Sequence, residues 1–270
     1  MTRHEKGVLA GNDADAVHDM RVTSRRIRAA LAFLRKDLPA RRRRRASRRV
    51  RSITAALGEL RQFDVNTEIL DRIIAESPEV RHAAEFARPM LAADRGRSQT
   101  RARKAVRKTD FDALGRELKA LARRLDDCDV GGLSKRAGRQ AARREKRLGR
   151  LWGANGAGPA ASLDPRDKQR LHAIRIATKK FRYHLETGGR ICGWPVDAAI
   201  QAAREMQDSL GDVHDLEVLR HWCEAQSAEA AGPMEELVRH IRMREAVALS
   251  RVMAMREAAH AALSKPLAIS

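Results

Sequence analysis

His18, Arg21, Arg25 and Arg28 recur, at the same spacing, as His172, Arg175, Lys179 and Arg182. The first copy reads VHDMRVTSRRIRAAL (Val17 to Leu31). The second, about 154 residues on, reads LHAIRIATKKFRYHL (Leu171 to Leu185). Groups of this kind recognise oxyanions. Arg presents a planar fork of donors, Lys a point charge, and His a donor that strengthens when protonated. The chemistry expected is capture of a strongly anionic partner, with His18 and His172 donating hydrogen bonds to it or to the wall of its site.

Helical spacing decides which side chains act together. At 100° per residue, His18, Arg21, Arg25 and Arg28 fall within an arc of roughly 80°. Val17, Met20, Ser24, Ile27, Leu31 and Leu34 fill the neighbouring arc. The cations therefore border a buried stripe, and Arg26 points away. The second copy repeats this with Leu171, Ile174, Thr178, Phe181 and Leu185 beside its cations, and Lys180 points away.

A second helix extends the first copy. Arg41, Arg44, Arg48 and Arg51 share one face, with Arg45 at its edge, opposite Val50, Ile53, Leu57 and Leu60. Short connections make such neighbours antiparallel. Two cationic faces side by side repel unless an anion lies between them, so a basic groove or pore is expected. In the second half the matching positions are Trp194, Asp197 and Gln201, and only Arg204 persists. The first half is therefore expected to supply most of the attraction.

The elements carrying these faces read as helices throughout. Ala, Leu, Arg and Glu dominate, and apolar residues follow the helical period. Helices are predicted near 14–37, 40–75, 78–107, 110–126, 134–151, 164–188, 196–227 and 233–263. Pro39, Pro78, Pro165, Pro195 and Pro233 sit at or near helix starts, Asp164 is a predicted N-cap, and Gly188-Gly189 a predicted stop. Gly153 to Ser162 reads as a linker. A later motif is also duplicated: LGELRQFDV (Leu57 to Val65) aligns with LGDVHDLEV (Leu210 to Val218). Two motifs in the same order point to duplication of a helical bundle, with repeats at 1–130 and 131–270.

Composition narrows the partner. The chain has 270 residues, 55 Lys or Arg against 35 Asp or Glu, and a net charge of +20. Residues 17–51 hold fourteen Arg or Lys and two acids, Asp19 and Asp37, unlike an ordinary mixed-sign surface. Aromatics make up only 3%, which disfavours stacking on single-stranded bases. Three scattered cysteines, Cys128, Cys192 and Cys223, show neither disulfide nor metal spacing, which fits a reducing compartment. The opening MTRHEKGVLAGND lacks a signal-peptide core, and no apolar run reaches the ~20 residues of a membrane span, so a cytoplasmic protein with no membrane partner is expected. The acids Glu59, Asp64, Asp208, Asp212 and Asp215 are read as clamps on neighbouring helices. The His-Asp pairs at 18–19 and 214–215 lack the further ligands a metal site needs. Met243, Met253 and Met255 read as core filler.

The histidine-arginine motif HxxRVxxRRxR and the later LGxxxD-type motif, both duplicated, resemble the CHAD family (conserved histidine α-helical domain) from about residue 14 to 263. The resemblance implies an all-α fold of two four-helix bundles, related by pseudo-two-fold symmetry around a basic central cavity. It also implies binding of inorganic polyphosphate, often at polyphosphate granules, by His18, Arg21, Arg25, Arg28, His172, Arg175, Lys179 and Arg182. The chain departs from the family in three ways. About thirteen residues precede the first motif where a full helix is usual, so the first bundle is expected either to lack a helix or to borrow one. Gln62 stands where an aspartate is common, whereas Asp215 keeps it. No ExExK segment marks the triphosphate-cleaving CYTH domain sometimes fused to the family.

The resulting expectation is a binding protein without catalytic, metal or cofactor residues. Its binding set is the eight residues above with Arg41, Arg44, Arg45, Arg48, Arg51 and Arg204. Polyphosphate is the expected partner, with sulfate or phosphate ions able to take its place. A nucleic-acid backbone is the alternative, and a phosphatase is disfavoured because no nucleophile–base or metal constellation appears.

Overall fold

Aspartate caps and glycine or proline breaks set where these helices begin and end. The computed structural model describes residues 1–11, 13–126, 128–153, 167–226 and 232–263, with side chains as far as 255. Nine α-helices and no strand occur among the described residues. They are α1 (Glu5–Ala10), α2 (Ala14–Phe33), α3 (Ala40–Glu76), α4 (Arg81–Arg107), α5 (Phe111–Ala122), α6 (Val130–Trp152), α7 (Lys168–Cys192), α8 (Asp197–Gln226) and α9 (Pro233–Leu263). The fold is all-α, as the sequence predicts.

Asp13, Asp110, Asp129 and Asp167 each accept a hydrogen bond from the backbone N–H three residues on, at 2.7 to 2.9 Å. Such a cap offsets one of the unpaired donors at a helix start, typically by about 1 kcal/mol. The predicted linker beyond Gly153 and the cap at Asp164-Pro165 lie outside the described residues. The described start of α7 is capped by Asp167.

Two boundaries differ from the sequence reading for clear reasons. Gly188-Gly189 does not stop α7, which runs on to Cys192. Gly188 instead leaves room for the Trp194 ring, which a Cβ there would strike. The stop is Gly193, with φ of +70°, in the left-handed region that closes many helices. The residues before the first motif form a 3-10 turn (Thr2–His4) and the short α1, whose Val8 is buried.

The chain forms two compact units. The first is Met1–Asp126 with Asp215–Arg244, and the second is Asp127–His214 with Glu245–Ser270. This division is by packing, whereas the 1–130 and 131–270 division is by sequence repeat. The long helices α8 and α9 each contribute to both units.

In the first unit one core joins Val8, Val17, Met20, Ile53, Leu57, Leu60, Ala102 and Val106 from α1, α2, α3 and α4. Another joins Leu70 and Ile73 of α3 and Leu91 of α4 to Leu219, Cys223, Leu237 and Ile241 of α8 and α9. In the second unit α6 packs on α7, burying Ala137, Ala141, Leu148 and Trp152 with Ile174, Phe181 and Leu185. Met243 is a correction to the core-filler reading. It is 57% exposed, although the Met255 sulfur accepts a hydrogen bond from Ser209 (3.1 Å).

Candidate anion-binding site

The stripe predicted for α2 is buried at Val17, Met20, Ser24, Leu31 and Leu34, and half-buried at Ile27. Burial of the polar Ser24 is accommodated by hydrogen bonding. Its hydroxyl donates to the Arg21 carbonyl (2.8 Å) and lies 3.0 Å from Thr54 Oγ1 on α3. That contact seats α2 on α3 next to the motif. The motif cations then emerge at the edge of the seam. Arg21, Arg25 and Arg28 are half-buried, His18 is exposed, and Arg26 is exposed on the opposite side.

Arg28 reports on the local field. Burial, then the charges of Arg51 on α3 and Arg25 on α2, push its guanidinium below the ordinary arginine range. Arg51 of α3 therefore lies close enough to Arg28 of α2 for their charges to repel. Among the described residues, Arg25, Arg28, Arg41, Arg44, Arg48 and Arg51 have no carboxylate partner. Arg45 differs: its Nε lies 3.8 Å from Glu117 on α5, and Arg49 lies 3.6 Å from the other oxygen of that carboxylate. Asp19 faces away from the cluster, with His4 at 3.8 Å.

The second repeat keeps the geometry and changes the charge balance. Leu171, Ile174, Thr178, Phe181 and Leu185 are all buried, and the Thr178 hydroxyl donates to the Met206 sulfur at 3.3 Å. Arg175, Lys179 and Arg182 are half-buried, and His172 is exposed. Arg182 donates from Nη1 to Glu186 Oε1 (2.7 Å) and from Nε to Gln207 Oε1 (3.0 Å). Its guanidinium lies 4.5 Å from the centre of the Tyr183 ring. Arg204 Nη2 donates to the same Glu186 oxygen at 3.3 Å. Glu186 thus sits between the counterparts of Arg28 and Arg51, where the first repeat has Ala32.

Two acids of the second motif's first copy, Glu59 and Asp64, pair with α4. Glu59 pairs with Arg101 of α4, and Asp64, buried, accepts from Arg95 at 2.7 Å. These two contacts clamp α3 to α4. Gln62 donates to Asp215 (3.3 Å), so the departure from the usual aspartate places a donor opposite a carboxylate.

Two residues beside the site, Glu186 and Gln207, escaped the sequence reading, and His214 entered it only as half of a His-Asp pair. His214 lies with its ring centroid 5.8 Å from that of His172. The Arg182–Glu186 spacing of four was a visible signal for an ion pair. The reach of Arg204 and Gln207 to the same group depends on how α8 crosses α7, which no linear pattern encodes. No group of three or more His, Cys, Asp or Glu gathers to hold a metal among the described residues. Nor is any described helix long and apolar enough to cross a membrane.

The CHAD domain family profile matches residues 1–224. The fold is similar to the crystal structure of the CHAD domain from the plant Ricinus communis, with a TM-score of 0.69 and 21% identity over 99% of this chain and 88% of that one. It is also similar to PptA from Streptomyces chartreusis, with a TM-score of 0.61 and 18% identity over 93% of this chain and 90% of that one. No curated protein matches the chain.

Proposed function

The chain belongs to the CHAD family, and from that premise we propose that it binds inorganic polyphosphate without chemical turnover. The family is associated with polyphosphate. The observation that carries the reading is the cluster of Arg25, Arg28 and Arg51, which repel one another with no carboxylate between them. Arg25 and Arg28 are half-buried beside the exposed Arg51, and an anion among them relieves the repulsion. The binding set is the fourteen motif residues. Those of the first repeat take the larger share, because no acid among the described residues offsets most of them. The same chemistry accepts sulfate or phosphate ions singly, and it fits a protein that resides in the cytoplasm at polyphosphate granules.

The ligand has no bases to read, and the protein offers little to read them with. Of its nine aromatic residues only Phe86 is exposed. Single-stranded nucleic acid is normally held on aromatic platforms as well as cations. Polyphosphate needs only closely spaced charge, which the seam between α2 and α3 supplies.

A competition titration tests this. Labelled long-chain polyphosphate is bound at physiological salt, then challenged with duplex DNA, RNA and ATP in excess. Retention of polyphosphate is the expected result, and displacement by DNA at comparable phosphate concentration overturns it. Charge reversal at Arg21, Arg25 and Arg28 abolishes binding while the far-UV helical signal survives. Release of phosphate on incubation with divalent metals would show an enzyme instead.

A further inference from the structure

We propose that Glu186 is a resident counter-anion: it occupies, in the second repeat, the place that a ligand phosphate takes in the first. The inference rests on the polyphosphate reading and adds the device that sets how much each repeat contributes.

The two repeats place equivalent cations in equivalent frames. Arg28 and Arg51 of the first correspond to Arg182 and Arg204 of the second. In the first, neither arginine has a carboxylate partner among the described residues, and burial together with the charge of Arg51 holds the Arg28 guanidinium below its ordinary range. In the second, one oxygen of Glu186 receives both guanidiniums, at 2.7 and 3.3 Å. Glu186 is only 12% exposed and Arg182 14%, so their pair is sheltered from solvent screening, whereas Arg204 is 50% exposed. The Gln207 carbonyl oxygen and the Tyr183 ring fix the remaining faces of Arg182. A carboxylate bridging two guanidiniums imitates a bridging phosphate oxygen, since both present oxygen lone pairs to forked donors.

A phosphate that engages Arg182 and Arg204 must therefore displace a tethered anion that dissociates nowhere. Weakly charged ligands lose that competition. A long polyanion presents many phosphates at once and competes more strongly. Glu186 thereby makes the second repeat a conditional contact and leaves the first as the unconditional one.

The test is a reciprocal exchange of charge. Glu186→Gln keeps the side chain's length and removes its charge. Ala32→Glu installs the acid at the matching exposed position of α2. Polyphosphate affinity is measured for both variants and the wild type by titration across a salt series, with the helical signal as a folding control. Glu186→Gln is expected to bind about fivefold more tightly, the size of one moderately sheltered ion pair. Its log–log salt slope steepens by about one, as one or two further cations become available. Ala32→Glu weakens binding by about the same factor. Wild-type affinity or weaker in Glu186→Gln, or an unchanged Ala32→Glu, overturns the inference and leaves the function standing. Absence of wild-type binding defeats both. If Glu186→Gln does not fold, Ala32→Glu decides the matter alone.

Discussion

His184 shows how far neighbouring histidines of one motif-bearing helix can diverge in role. His172 is exposed beside the motif cations, whereas His184 on the same helix is 5% exposed. Its Nε2–H donates to the Ala137 carbonyl at 2.9 Å, and its ring lies 5.9 Å from that of Trp194. Trp194 in turn donates to Ser134 at 2.8 Å. Burial chiefly, with Arg144 adding to it against the Ala137 hydrogen bond, pushes the imidazole down to about 4 from an ordinary 6.5. The unfolded chain binds a proton between those values that the folded chain refuses. Stability from this residue is therefore complete above about pH 6.5 and falls as the pH drops toward 4, by an amount on the order of 3 kcal/mol. Urea unfolding at pH 4.5, 5.5 and 7 measures it. His184→Gln, which keeps a donor for Ala137, should flatten the slope relative to wild type. An equally steep decline in the variant would assign the acid sensitivity to other groups. Neither His184 nor Glu186 stood out in the sequence, because burial and partners across helices give them their roles. His18 and Arg28 stood out because their roles follow from spacing within one helix.

At the scale of elements, most helix boundaries were legible because caps and breakers are local. Pro39 precedes α3, Pro195 lies just before α8, and Pro233 begins α9, and these starts agree with the sequence reading. Gly188 misled because its role is to admit Trp194, a contact made after the chain has turned. The charge on α6 was legible but unread. It carries eight Lys or Arg and one acid, Glu145. Lys135, Arg139, Arg143, Lys146, Arg147 and Arg150 are exposed on the side opposite the buried stripe, with no ion-pair partner among the described residues. Like charges four apart destabilise a helix by a few tenths of a kcal/mol each. Arg143 lies four residues from both Arg139 and Arg147 and three from Lys146. Arg143→Glu turns these repulsions into attractions and should stabilise the protein by about 1 kcal/mol. The urea midpoint at low salt reads this gain, which should shrink in 1 M NaCl as the charges are screened. A lower midpoint would mean that Arg143 has a stabilising partner.

The whole molecule carries its charge at a cost that its ligand should relieve. A net charge of +20 drives self-repulsion, and the cationic seam of α2 and α3 concentrates it. Salt then acts in opposite directions on the free and bound protein. Added NaCl screens the free chain and raises its melting temperature. The same salt competes with the ligand, because binding a polyanion releases counterions. If the six uncompensated arginines of the first repeat each contact phosphate, affinity falls on the order of 10²-fold to 10³-fold between 50 and 200 mM NaCl. At low salt, polyphosphate at a hundred times its Kd adds about 2.7 kcal/mol, or on the order of 5–10 °C. The melting curves with and without ligand should therefore converge as salt rises, the free one climbing while the bound one falls. Thermal scans across that salt range distinguish this from an apolar or shape-driven contact, for which the gap between the curves would persist. A persistent gap would detach binding from the arginine cluster, and with it the reason this chain holds Arg25, Arg28 and Arg51 together.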